Sequence, residues 1–284
     1  MASCSIPANK AKHESTTTNP NWLELPKDIT SNILQKLCPV EILISARNVC
    51  PYWWNICKDP LMWRTIRMTD IHMLRYNSSN LSNICRYAVD KSCGGLEHIY
   101  IKYFGNDDLL QYVADRASKL RRLGIEECHR LLSNKGLIKA VKKFPLLEEL
   151  HISKCHLLDK VSFDIIGQCC PLLKSLSLFG YFKCDRQAFE IAEWMPRLRH
   201  LKILNNNNLT NDGLFALLNG CTLLESLDLR GCFYLELTES IKQRCNKQIK
   251  DFLLPLDSMD EDYYAFFDPD LLLMRLRWRS NIEN

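Results

Sequence analysis

From residue 96 the chain repeats one hydrophobic pattern, L-x-x-L-x-L. It appears as LEHIYI from Leu96, LRRLGI from Leu120, LEELHI from Leu147, LKSLSL from Leu173, LRHLKI from Leu198 and LESLDL from Leu224. The copies start 24, 27, 26, 25 and 26 residues apart. Chance matches to so loose a motif would not keep this interval, so the pattern marks a stacked supersecondary unit. Within each copy, alternation puts two apolar side chains on one face of a short strand and the residue between them on the other. One such strand cannot bury its apolar face alone. Copies stacked in parallel can, with each return segment covering the outside. The return segments read as helices: in 107–118 Leu110, Val113, Ala114 and Ala117 form one stripe, and in 185–194 Ala188, Ile191 and Ala192 do the same. The predicted fold class is therefore α/β, with a parallel concave sheet and outer helices.

Residues 21–67 carry a different pattern, that of a small helical module. Ile29, Ile33 and Leu37 fall at i, i+4, i+8. Pro39 fits the first turn of a second helix, where Ile42, Ala46 and Val49 form a stripe widened by Leu43. Pro51 opens a third piece, and Asp59-Pro60 reads as an N-cap followed by a first-turn proline. The stretch NVCPYWWNICKDPLMW places Trp53, Trp54 and Trp63, half of the six tryptophans, within eleven positions. A module this short is at the edge of independent stability, yet its helices are apolar on more than one side. Another surface must complete its burial, either the solenoid behind it or a partner.

The repeats resemble leucine-rich repeats of the cysteine-containing subtype. Three residues before the first leucine stands Cys93, Ala117, Phe144, Cys170, Met195 or Cys221, always small or apolar. Three residues after the strand stands Phe104, Cys128, Cys155, Tyr181, Asn206 or Cys232; Cys or Asn is expected there, where the side chain meets turn backbone groups. Phe104 and Tyr181 depart from that pattern, so the first and fourth turns are expected to be irregular. LTNDGL (209–214) matches the subtype's helix entry.

The helical module resembles an F-box. It carries L-P-x-[DE]-[IL] (Leu25, Pro26, Asp28, Ile29), I-L-x-x-L (Ile33, Leu34, Leu37), V-C-x-x-W (Val49, Cys50, Trp53) and C-K-D-P-x-M-W-R (Cys57 to Arg64). Trp54 departs from relatives that carry a polar or basic residue. The order F-box then cysteine-type repeats is that of plant F-box/leucine-rich-repeat proteins. That resemblance implies a substrate-recognition subunit of a Skp–cullin–F-box ubiquitin ligase. Its partners would be a Skp-type adaptor, the cullin-RING ligase core and an unknown protein substrate. By the same resemblance Leu25, Pro26, Ile29, Ile33, Leu34, Leu37, Ile42, Val49 and Trp53 are assigned to adaptor binding, some of them necessarily serving as internal core. The alternative is a leucine-rich-repeat scaffold that binds its partner outside a ligase.

The substrate surface is expected on the concave sheet, between the buried leucines. Its candidates are Tyr100, Lys102, Glu126, His151, Phe179, Lys202, Leu204, Asp228 and Arg230, a mixed polar face with an apolar spot at Phe179 and Leu204. His98, His151 and His200 are read as one column of that face, on alternate strands and roughly 10 Å apart, too far for one zinc ion. Cys128-His129 and Cys155-His156 occupy corresponding repeat positions, which makes them structural rather than metal-binding. No metal and no cofactor are expected.

Fourteen cysteines in a chain of 284 residues without an apolar leader point to reduced thiols and to the nucleus or cytoplasm. Net charge is +4, with only short basic pairs such as Arg121-Arg122 and Lys142-Lys143, so no nucleic-acid partner is expected. No apolar run is long enough to span a membrane. Neither G-x-S-x-G nor a phosphate-cradling glycine loop is present, which argues for a non-catalytic chain. Residues 1–20 read as a disordered tail and 68–92 as a connector or degenerate first repeat, followed by the repeat domain over 93–254. The tail 255–284 is acidic and aromatic, then apolar and basic; its first part reads as a disordered acidic segment, and its second part is expected to form a short amphipathic helix covering the last repeat, or to bind a partner.

Overall fold

The computed structural model describes residues 22–69, 77–128, 131–155, 163–180 and 184–257. The expectations for residues 1–20 and for the end of the C-terminal tail lie outside these residues. So do His129, His156 and Tyr181.

The N-terminal module forms helices α1 (Lys27–Leu34), α2 (Pro39–Ile44) and α3 (Pro51–Lys58), joined by short 3-10 turns at Ala46–Asn48 and Pro60–Trp63. The prolines set the helix starts, because a fixed φ and a missing N–H cost nothing in a first turn. Asp59 caps the last turn, its Oδ1 accepting from the Leu61 N–H at 3.1 Å.

Among the described residues the sheet has eight parallel strands in sequence order: β1 (Thr65–Met68), β2 (His98–Lys102), β3 (Arg122–Glu126), β4 (Glu149–Ser153), β5 (Ser175–Phe179), β6 (His200–Leu204), β7 (Ser226–Asp228) and β8 (Asp251–Leu253). The sequence pattern marks six. The other two use the same register with different residues. Trp63, Ile66 and Met68 replace the three leucines at β1, and Ile249, Phe252 and Leu254 replace them at β8. Thr65 to Met68 align with His98 to Ile101. Helices cover the convex side: α4 (Ser78–Lys91), α5 (Asp107–Arg116), α6 (Asn134–Val141), α7 (Phe163–Cys169), α8 (Arg186–Trp194), α9 (Asn211–Gly220) and α10 (Glu239–Gln248).

Two backbone devices repeat along the stack. At each strand entry one carbonyl accepts two successive N–H groups of the next repeat: Arg64 O from Glu97 and His98, Glu97 O from Arg121 and Arg122, and so on to Glu225 O from Lys250 and Asp251. At the exits of β2 to β7 the chain turns through the left-handed region, at Tyr103, Glu127, Lys154, Gly180, Asn205 and Gly231. The first device begins at Arg64, inside the helical module. The module is thus spliced into the solenoid rather than tethered to it.

The core is a continuous column of leucines and their substitutes. Leu96, Leu120, Leu147, Leu176, Leu201 and Leu227 are all fully buried. The cysteines that stand at the two predicted slots are buried, with one exception. Cys128 and Cys155 are buried, and each Sγ donates to the carbonyl two residues earlier, Glu126 O and Ser153 O, at 3.2 Å. Asn206 does the equivalent work through Oδ1, which accepts from Asn208 N–H at 2.9 Å. Cys93 is exposed, with φ +48°, and the neighbouring Ser92 is buried in its stead. Phe104 fills its slot with apolar bulk, and the Gly105 N–H there donates to the Cys128 thiol at 3.2 Å.

One expectation about the histidines is corrected by the register. His98 and His200 stand in the column that runs through Arg122, Glu149 and Ser175, whereas His151 stands in the next column with Gly124 and Ser177. His98 and His200 occupy the third position of the pattern and His151 the fifth, so they share a face but not a column.

Candidate docking surfaces

The helical module leaves much of its apolar surface open. Seven exposed large apolar side chains, Leu23, Ile29, Ile33, Ile44, Val49, Trp54 and Leu61, fall within the first forty described residues. On α1 the helical period divides the face. Thr30 and Leu34 turn inward, and Leu34 is fully buried; Ile29 and Ile33 stand outward at i, i+4, 43% and 38% exposed. The α1 entry is pinned by Tyr52, whose hydroxyl donates to Leu25 O at 3.0 Å. On α2, Val40 and Ile42 are buried while Ile44 is exposed, and after the following turn Val49 is 62% exposed.

Of the nine residues assigned to adaptor binding, then, Leu34 and Ile42 are core. Pro26, Ile29, Ile33 and Val49 are exposed, and Leu25, Leu37 and Trp53 are half-buried. Adjacent residues on one helix, Ile33 and Leu34, take opposite roles because 100° of rotation separates them.

The three clustered tryptophans also divide. Trp63 is 1% exposed; its indole Nε1–H donates to Cys57 O at 2.9 Å and its ring meets Tyr87 edge-on, with centroids 6.3 Å apart. It is the first leucine-slot residue of the solenoid. Trp53 packs half-buried against the core. Trp54 is exposed, with the Arg47 guanidinium 5.5 Å and the Lys58 ammonium 4.9 Å from its ring. Composition could count these indoles; only the register of β1 assigns Trp63.

The concave sheet is a second surface. Its central column runs Arg67, Tyr100, Gly124, His151, Ser177, Lys202, Asp228, Leu253. Arg67 and Leu253 extend the six-residue column read from sequence. The Tyr100 ring lies over Gly124, where an added Cβ would stand 2.2 Å from Tyr100 Cδ1, and the Arg67 guanidinium sits 5.4 Å from that ring. Towards the strand ends Lys102 Nζ pairs with Glu126 at 2.9 Å, and Lys154 Nζ with Glu127 at 3.0 Å.

Tyr100, Lys102, Glu126, His151 and Arg230 are half-buried, and Lys202 is exposed. Phe179, Leu204 and Asp228 are buried, so the expected apolar spot is not an open one. Alternation correctly turns Phe179 and Leu204 away from the helices, but facing the concave side does not guarantee exposure. Asp228 is held by Arg230, Oδ1 accepting from Nε at 2.9 Å and Oδ2 from Nη2 at 2.8 Å. Burial holds the His151 imidazole below its ordinary pKa, against the pull of Glu126 and with a smaller push from Lys202.

Six of the buried thiols are poorly suited to chemistry. Burial pushes Cys85, Cys128, Cys170, Cys221 and Cys232 up to about 12 and Cys155 to about 11. The thiolate is the nucleophile, so these six are inert at neutral pH. Among the described residues, no cluster of three or more His, Cys, Asp or Glu side chains is arranged for a metal ion, and no helix is long and apolar enough to cross a membrane.

The F-box-like family model matches residues 22–69. Putative F-box/LRR-repeat protein 23 of Arabidopsis thaliana is 46% identical over 84% of this chain and 54% of its own length. F-box protein SKIP19 from the same plant is 43% identical over 95% of this chain and 91% of its own. This chain belongs to the F-box/leucine-rich-repeat proteins. Putative F-box/LRR-repeat protein 22, also from Arabidopsis, is 41% identical over 94% of the chain and 86% of its own length. Rad7, in a yeast complex with Elc1, superposes with a TM-score of 0.50 at 16% identity, covering 76% of this chain and 56% of that one, a likeness of fold. For an F-box/leucine-rich-repeat protein the matched segment has a notable end: residues 65–68 of it are β1, the first strand of the repeat sheet.

Proposed function

We propose that this protein is a substrate receptor of a Skp–cullin–F-box ubiquitin ligase. Its F-box docks a Skp-type adaptor, and its concave sheet presents a protein substrate to the cullin-RING core. The observation that carries this reading is the open apolar face of the F-box. Ile29, Ile33 and Val49 stay exposed, whereas Trp63, Ile66 and Met68, which begin the solenoid, are buried. Monomers rarely leave so many large apolar groups together unless a partner covers them. Clustered aliphatic and aromatic anchors are also what an interface hot spot uses.

The chain performs no bond chemistry in this account. It raises the local concentration of a substrate lysine near a charged ubiquitin carrier, turning a bimolecular encounter into an intramolecular one. Splicing the F-box into the sheet serves that task, since a substrate on the concave face is held at a fixed orientation to the adaptor. Free thiols suit a reducing nucleus or cytoplasm as the place of action.

Co-purification of the full chain with a Skp adaptor and a cullin, followed by ubiquitination of a captured protein, tests the proposal. Adaptor binding without cullin would place the protein outside a ligase. A folded chain that binds no adaptor would refute the proposal entirely.

A further inference from the structure

The outer side of α3 carries a cluster that the fold itself does not use. Pro51, Trp54, Asn55 and Lys58 form its exposed stripe, opposite the buried Ile56 and Cys57. The Arg47 guanidinium lies 5.5 Å and the Lys58 ammonium 4.9 Å from the centre of the Trp54 ring, both within reach of its π-system. Two cations therefore share one exposed indole. Among the described residues neither has a carboxylate within ion-pair distance.

The carboxylates that could have served are engaged elsewhere. Asp59, the residue after Lys58, pairs with Lys27 Nζ at 2.9 Å and accepts from the Leu61 N–H at 3.1 Å. Glu41 on α2 closes a capping box, its Oε2 accepting from the Cys38 N–H at 2.8 Å. Arg47 is half-buried, and its Nε–H is shut off from water with no acceptor. A cation drawn partly out of water ordinarily meets an anion. Arg47 meets the indole and the repulsion of Lys58 instead, so its charge is left for something outside this chain's described residues.

The patch borders the open apolar face. Arg47 lies in the 3-10 turn Ala46–Asn48, and Val49, 62% exposed, follows directly. Pro51 then opens the outward stripe of α3. A surface that covers Val49 meets the two cations at its edge.

We propose that Arg47, Trp54 and Lys58 form the charged margin of the adaptor-docking surface and receive an acidic segment of the adaptor. This inference rests on reading the helical module as adaptor-bound. Carboxylates of that segment offset both cations, and its apolar stems lie against the indole. The consequence is selectivity among adaptors. One that carries carboxylates at this margin associates faster than one that does not, because a charged rim acts on encounter more than on residence.

Stopped-flow association of the full chain with a purified Skp-type adaptor tests this at about 0.05 M and about 1 M salt, between which the screening length falls to ~3 Å. Arg47→Glu combined with Lys58→Glu should slow association at least about tenfold at low salt and less than about twofold at high salt, with dissociation nearly unchanged. Lys58→Glu alone, at an exposed position that leaves the core untouched, should give part of the same effect. Arg47→Lys, which keeps the charge, should retain the salt response. If neither Lys58→Glu nor the double reversal changes the rate while Ile33→Asp still weakens the complex, the proposal is overturned and the adaptor reading stands. A loss of equal size at both salt concentrations would overturn it too. A folded chain that binds no adaptor would remove the adaptor reading and this inference together.

Discussion

Replacing Trp63 with alanine tests whether the F-box and the repeats are one structure. The side chain is 1% exposed and belongs to both, filling the first leucine slot while bonding to Cys57 of α3. Burying a tryptophan removes roughly 150–250 Å² from water, worth about 4–6 kcal/mol at the usual ~25 cal/mol per Å². Alanine recovers part of this, and large-to-small core changes of this type cost about 3–5 kcal/mol. The orphaned Cys57 carbonyl adds about 1 kcal/mol. A loss of about 5 kcal/mol is a large share of the 5–15 kcal/mol typical of a domain. Urea unfolding with hydrogen exchange reads both its size and its place. The expected result is joint loss of protection on α1 to α3 and on β1 and β2, with β5 and β6 less affected because repeat stability is nearest-neighbour. Trp54→Ala, at an exposed ring, should stay within about 0.5 kcal/mol. If Trp63→Ala released α1 to α3 while β2 kept its protection, the F-box would be a separate bead and the splicing argument would fail.

Other consequences are smaller but local. In Gly136→Ala a new Cβ would stand 2.0 Å from Asp107 Oδ1, which accepts from Ser133 N–H at 2.7 Å while Oδ2 takes the Ser133 hydroxyl; displacing that carboxylate should cost about 1–3 kcal/mol in urea unfolding, and Asp107→Ala combined with it should be less than additive. His151 is held neutral by burial, so its folded pKa lies below the unfolded value; the stability it contributes is present above about 6.5 and is lost as pH falls through the folded pKa. His151→Gln should flatten the part of the stability–pH curve that lies below the unfolded histidine pKa of about 6.5, and an unchanged curve would contradict the assignment. Gly124→Val should displace the Tyr100 ring from the concave sheet and weaken capture of any substrate that uses Tyr100, with adaptor affinity unchanged, as paired binding measurements would show.

Much of the solenoid is legible in the sequence because two periods coincide. Alternation within a strand fixes the face, and a constant return length fixes the stack. Both end copies escape this reading because Trp63 and Phe252 occupy leucine slots, and the first copy also lies within the F-box motif. The concave candidates show the limit of alternation: it turns Phe179, Leu204 and Asp228 to the correct side but does not tell how they are covered. In the F-box, motif resemblance identifies the module without sorting Ile33 from Leu34 or Val49 from Ile42. That sorting depends on how three short helices meet, which is a tertiary fact.

The most direct test of the central claim is calorimetric titration of the full chain with a purified Skp adaptor, repeated for Ile33→Asp and Val49→Asp. Each variant should weaken binding at least about tenfold, or ~1.4 kcal/mol, with an unchanged melting temperature, because both side chains stand outside the core. Equal affinity for wild type and both variants, or no binding by a folded wild-type chain, would contradict an F-box completed by an adaptor.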